Sequence, residues 1–202
     1  MQNRRIFLLA LVTCLLFGLA GSASALDSKK TDYQVGDRLP QQTSDAKSSY
    51  KTVTWDDLMP KGWDPMTEFK KIDFSKMKDS DPRAMDALTK LRETWNNSPI
   101  EPSMDGARIR IPGFIVPLEV AHHQITEFLL VPYFGACIHV PPPPSNQIIH
   151  VFPTKPLKKG LQSMDAVWVS GEMKTLPSDT DMGSASYRMK ADIVVLYPQN
   201  GN

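Results

Sequence analysis

The chain has 202 residues, 41% of them hydrophobic and 22% charged, enough apolar material for one packed domain and too much for wholesale disorder. With 23 Lys and Arg against 22 Asp and Glu, the formal charge is +1, which gives no general attraction to nucleic acid or an anionic membrane. Two cysteines exclude a disulfide framework.

The N-terminus predicts export. Arg4 and Arg5 precede an apolar run from Ile6 to Gly21, and Ala23-Ser24-Ala25 closes it. A positive start, an apolar centre and an Ala-x-Ala end form a secretory signal peptide over residues 1–25. The run is 16 residues long, short of the roughly 20 that span a bilayer. A lipoprotein reading rests on Cys14, but Leu11-Val12-Thr13 is a poor lipobox and apolar residues continue past the cysteine. No second apolar stretch is long enough for a span. A soluble export product is therefore expected, with a formal charge of −1 once Arg4 and Arg5 are removed. Cys137 would be its single cysteine, buried, bound or reactive in an oxidising compartment.

Residues 26–49 are polar and predict a flexible N-terminal arm. One globular domain is expected over 50–198, with a tail at 199–202. The stretch Tyr50–Trp55 alternates as a strand does, and Asp56–Pro60 turns away. Asp81-Pro82 opens a helix, Asp81 as N-cap and Pro82 at its first position, and Asn96–Pro99 stops it. Met85, Leu88, Leu91 and Trp95 would make its apolar stripe, packed on a sheet.

From Gly106 the pattern is β. Strands are expected over Ala107–Leu118 with a bulge or bend at Pro112-Gly113, over Ile125–Val131, Gln147–Phe152 and Ala166–Thr175 with a kink at Gly171, and over Ser186–Tyr197. About five strands and one helix predict a mainly β, α+β fold, an OB-like and partly open small barrel.

The unusual segment is Gly135-Ala136-Cys137-Ile138-His139-Val140, followed by Pro141, Pro142, Pro143, Pro144, Ser145, Asn146 and Gln147. All four histidines, His122, His123, His139 and His150, lie close to it in sequence. If the chain is extended there, Cys137 and His139 share one face, and the prolines form a stiff polyproline II wall. Three readings compete. Thiolate and imidazole suit zinc, or copper, with His150 as third ligand, His122 or His123 as fourth, and Glu119 and Glu127 as nearby oxygen donors. Alternatively His139 activates Cys137 as a nucleophile. Finally, Cys137 is a small packing residue under the proline wall. Trp55, Trp63, Trp95 and Trp168 read as core residues.

The same segment, with Gly113–Glu119, Glu127–Val131, Thr54–Pro60 and Val167–Gly171, resembles an uncharacterised family of exported Gram-negative bacterial proteins and lipoproteins, catalogued as a domain of unknown function. The similarity runs from about Tyr50 to Tyr197. Cys137, His139, Asn146 and Gln147 are its motif positions. Some members are encoded beside ABC-type transport systems that respond to zinc, and no catalytic activity comes with the family. The resemblance thus implies a non-enzymatic periplasmic accessory in metal handling, with possible cofactor zinc and an ABC-transporter subunit or periplasmic metal-binding protein as partner. Structural interaction module and thiol enzyme are the alternatives.

Overall fold

The structure is a computed structural model that describes residues 33–40, 49–64, 67, 82–140 and 142–198. All belong to one compact unit, Asp32–Asn202. The expected signal peptide, Cys14, Asp81, Pro141, most of the arm and the C-terminal tail lie outside these residues.

A short strand, β1 (Lys51–Thr52), is followed by a 3-10 turn at Asp56–Leu58 and by helix α1 (Pro82–Asn96). Then come β2 (Arg108–Ala121), β3 (Gln124–Val131), β4 (Ile149–Pro153), β5 (Ala166–Lys174), β6 (Ser178–Thr180), β7 (Gly183–Ala185) and β8 (Tyr187–Leu196). The ring β2–β3–β4–β8–β5 closes because β2 also pairs with β5. It is a closed five-strand barrel, with the strand number of an OB barrel. Pairing is antiparallel throughout the ring except between β4 and β8. β6 and β7 form a separate hairpin.

Closure depends on β2 serving two partners. Arg108 to Phe114 pair with β5, and Phe114 to Ala121 pair with β3. Pro112-Gly113 is the hand-over point rather than a bulge; the irregular register falls later, between Pro117 and Val120. At Gly113 a Cβ would stand 2.8 Å from both Leu130 Cγ and the Val131 carbonyl oxygen, so only glycine lets β3 lie this close.

Alternation along each strand separates two cores. Ile109, Ile111, Phe128, Leu130, Ile149, Val151, Val167, Val169, Tyr187 and Met189 fill the barrel interior, joined by Val53, Trp55, Leu58 and Met104. Phe114, Val116, Leu129, Val131, Ile148, Ala166, Trp168 and Tyr197 point outward into a second cluster with Leu39, Ala136 and Met164. A barrel wall that is apolar on its outer side must be covered, and the segments that cover it form the site described below.

Helix α1 has the expected bounds and a different buried face. Ala84 and Ala87 are buried, whereas Met85 is 58% and Leu88 45% exposed. The alanines, three apart, turn a small-residue face inward and swing the Met85 and Leu88 edge of the expected stripe to the surface.

Candidate functional site

The Cys137 segment is not a strand. Val131 ends β3, and Pro132, Gly135 and the proline run cannot sustain a ladder. The chain instead winds into a turn with Gly135 at φ 85° and Cys137 at φ 63°. Three successive N–H groups, of Ile138 (3.3 Å), His139 (2.8 Å) and Val140 (3.2 Å), donate to the Gly135 carbonyl oxygen. The Gly135 N–H itself points at Met164 Sδ, 3.1 Å away. Cys137 and His139 therefore do not share a strand face as period-two alternation predicted. A left-handed cysteine costs conformational energy, and the convergent bonds on Gly135 hold it there.

Part of the expected flexible arm braces this turn. The Gly36 N–H donates to the Phe134 carbonyl and the Phe134 N–H to that of Asp37, both at 2.9 Å. Tyr33 meets Phe114 edge-on at 5.1 Å, and Phe134 completes an aromatic trio. Leu39 is buried, and the Tyr197 hydroxyl donates to the Pro40 carbonyl at 2.7 Å. Tyr33 and Leu39 were the apolar anchors hidden in a polar sequence, and they dock on the outward-facing Phe114 and its neighbours.

Within the turn, Cys137 is half-buried and packs on the outer cluster. Burial pushes its thiol up to about 12, so it is protonated at neutral pH and is the opposite of an activated nucleophile. Tyr133 beside it is likewise raised, chiefly by burial and secondarily by the Cys137 charge, with Arg38 pulling the other way. Ile138 and His139 are the exposed residues of the turn. Pro144 has φ −52° and ψ 145°, close to the polyproline II conformation expected. Pro143 is buried, and Pro142 abuts Gly183 of β7.

Asn146 and Gln147 are structural pins. Gln147 Nε2 donates to the Trp55 carbonyl at 2.7 Å, and Trp55 Nε1 to the Pro112 carbonyl at 2.8 Å. Asn146 Nδ2 donates to the Pro99 carbonyl at 2.9 Å. Ser145 and Ser186 join through their hydroxyls at 2.8 Å. These bonds tie the segments before the barrel to its wall, which is a physical reason for amides at the end of the proline run.

The other histidines stand apart from the turn. His122 and His123 are the exposed tip of the β2–β3 hairpin, between the paired Ala121 and Gln124. Both have positive φ, 51° and 61°, the signature of a type I′ turn. His150 is buried on the outer side of β4, with Nε2 2.6 Å from Glu127 Oε1 and Nδ1 2.8 Å from Ser178 Oγ. The Glu127 carboxylate accepts from Nε2, and the Ser178 hydroxyl can donate to Nδ1 or accept from it. Both ring nitrogens are engaged. Among the described residues no three His, Cys, Asp or Glu side chains converge as a metal cage; zinc or copper would have Cys137 and His139 at most from the turn. The sequence singled out Glu127 as a neighbour of the histidine turn, and its partner proves to be His150. Ser178 carried no signal.

This is a five-strand barrel whose outer wall is sheathed by the 33–40 segment and a locked Cys137 turn. The profile of the family described as "Protein of unknown function (DUF3299)" matches residues 55–196, and the chain belongs to that family. A crystal structure of a DUF3299 family protein from Pseudomonas aeruginosa PAO1 is similar, with 34% sequence identity and a TM-score of 0.60, over 76% of this chain and 100% of that one. No functionally curated protein matches. No helix among the described residues is long and apolar enough to cross a membrane.

Proposed function

We propose that this is an exported, non-enzymatic accessory protein of the periplasm that docks on a partner through the turn at Ile138 and His139, with Cys137 as packing. One observation carries the reading: the Gly135 carbonyl gathers three N–H groups beneath an exposed Ile138 and His139. Ile138 is 41% exposed, an apolar side chain held out on a backbone tied by three hydrogen bonds to one carbonyl. Pre-organisation of that kind lowers the entropic cost of association. The raised Cys137 thiol opposes the thiol-enzyme alternative.

The partner we propose is a subunit of an ABC-type transport system, and zinc handling is the process it would serve. Zinc held by Cys137 and His139 is the competing reading, because here Cys137 is packing; no step of the docking depends on a metal. His122, His123 and His150 have no part in it.

Changing Ile138→Asp together with His139→Ala is the test. Both residues are exposed, so the barrel should be unaffected. Co-purification of the transporter subunit from solubilised membranes is expected to fall at least about tenfold, the effect of losing roughly 1.4 kcal/mol of contact. Equal recovery with the double variant would remove the turn as the docking surface.

A further inference from the structure

Strand β8 outruns its neighbour β4. Residues 187–191 lie between β4 and β5, but β4 ends at Pro153, opposite Ala191. Residues 193–196 pair with β5 alone.

The hydrogen bonds show which backbone groups this leaves open. Just past the strand, the Tyr197 N–H donates to the Ala166 carbonyl of β5 at 2.8 Å. Backbone groups alternate in direction along a strand. Val195 and Ile193 therefore also bond toward β5, and Val194 and Leu196 point their N–H and C=O groups to the other side. The extra residue Asp192 makes the change of direction, because before it the Ala191 carbonyl still faces β4 and accepts from the Thr154 N–H at 2.9 Å. Among the described residues nothing bonds to the outward groups of Val194 and Leu196.

The side chains there are apolar. Val194 packs on the barrel core, and Ile193, Val195 and Leu196 are exposed. Open strand edges in native proteins are commonly guarded by a lysine, a proline or a covering loop. None of the residues 193–196 is charged or proline.

Such an edge accepts another strand, and this one is complementary to its own copy. Consider a second copy running antiparallel about a two-fold axis at Val195. Val194 then faces Leu196 of the second copy, and the pair exchanges both N–H···O=C bonds. The symmetric pair does the same, so every outward group on both edges is used. Val195 meets its counterpart on the axis and Ile193 lies opposite Tyr197, so no charge opposes a charge. The pairing consumes both edges, stops at two copies and builds no fibre.

We propose that the protein forms a two-fold dimer by antiparallel pairing of the β8 edge at Val194 and Leu196 with the same edge of a second copy. So short a contact falls at the small end of protein interfaces, below about 1,200 Å². The dimer is therefore expected to form in the micromolar to millimolar range.

Sedimentation equilibrium of the purified protein across that range tests this, with hydrogen exchange of the β8 amides measured alongside. Wild type is expected to show a monomer–dimer equilibrium. Exchange of the Val194 and Leu196 amides should slow in step with the dimer fraction, while the Ile193 and Val195 amides, already bonded to β5, stay unchanged. Leu196→Pro removes an outward N–H and no bond to β5, and Val195→Lys sets like charges against each other on the axis. Each should weaken association at least about tenfold and leave the thermal midpoint of the dilute monomer in place. A wild type that stays monomeric at every concentration would overturn the self-pairing and leave the edge to a strand of another protein. A dimer that neither variant weakens, or that leaves the Val194 and Leu196 exchange unchanged, would overturn it by placing the contact elsewhere. Ile138 and His139 are not on β8, so either result leaves the docking reading to its own test.

Discussion

Replacing Tyr187 by Phe is expected to destabilise the protein by about 2–4 kcal/mol, although only one oxygen is lost. Tyr187 opens β8 and is fully buried in the barrel interior. Its hydroxyl donates to the Leu58 carbonyl at 2.6 Å and accepts from the Glu101 N–H at 2.7 Å. One side chain thus ties the barrel to the turn at residues 56–58 and to the segment after α1. Phe leaves the buried Leu58 carbonyl without its partner, at about 1–3 kcal/mol, and the half-buried Glu101 N–H, which water can partly reach, at about 1 kcal/mol. For a domain of this size the midpoint of thermal unfolding should drop by roughly 10 °C. The pH dependence carries a second signature. Burial raises the Tyr187 hydroxyl from its ordinary 10 to about 12. Its contribution is complete below pH 10 and is lost as pH rises toward 12, because the unfolded chain ionises first. Wild type should therefore lose stability over that window, and Tyr187→Phe should lose less of it.

Gly171→Ala is the second large effect. At Gly171 the β5–β8 register slips: Ser170 faces Ile193 while Gly171 faces Ala191, so Asp192 is the extra residue on β8. The bulge pushes the β8 backbone against Gly171. An added Cβ would land on the Lys190 carbonyl oxygen and 2.9 Å from the Ala191 Cα. Both obstacles are main chain, so no side-chain rotation relieves the clash. The substitution is expected to cost about 3 kcal/mol, at the upper end for overpacking. Because β5–β8 helps to close the ring, urea titration should show a lower midpoint. An unchanged midpoint would mean that the bulge relaxes freely.

The strands were legible because the barrel obeys period two: Val167, Val169 and Met173 face inward, as Ile109 and Ile111 do on β2. Gly171 announced its kink for a steric reason that one residue can carry. Closure was less legible, since the pairing of β2 with β5 is set by long-range geometry that no local pattern encodes. The Cys137 turn was misread for a related reason. Alternation predicts side-chain direction only for extended backbone, and Cys137 at φ 63° breaks that premise. The docked 33–40 segment was hidden because two anchors, Tyr33 and Leu39, sit in a polar stretch that looks unstructured until the outward-facing Phe114 is seen. The stripe on α1 was half legible: Leu91 and Trp95 are half-buried, while Ala84 and Ala87 are buried in place of Met85 and Leu88, a face that weakly apolar alanine does not announce. The amides Asn146 and Gln147 were visible as a motif, but their carbonyl partners, those of Pro99 and Trp55, lie far away in sequence.

The account holds that the Cys137 turn is a rigid, chemically quiet frame beneath a docking surface. Alkylation of Cys137 in the native protein, with and without a chelator, tests this most directly. With the thiol pushed up to about 12 from an ordinary value near 9, the thiolate fraction at pH 8 is on the order of 10⁻⁴. The predicted result is a rate about a thousandfold below that of the urea-unfolded chain, rising about tenfold per pH unit through the alkaline range and indifferent to the chelator. Rapid alkylation of the native protein near pH 7 would contradict the account in favour of a reactive thiol, and protection that a chelator abolishes would contradict it in favour of a bound metal.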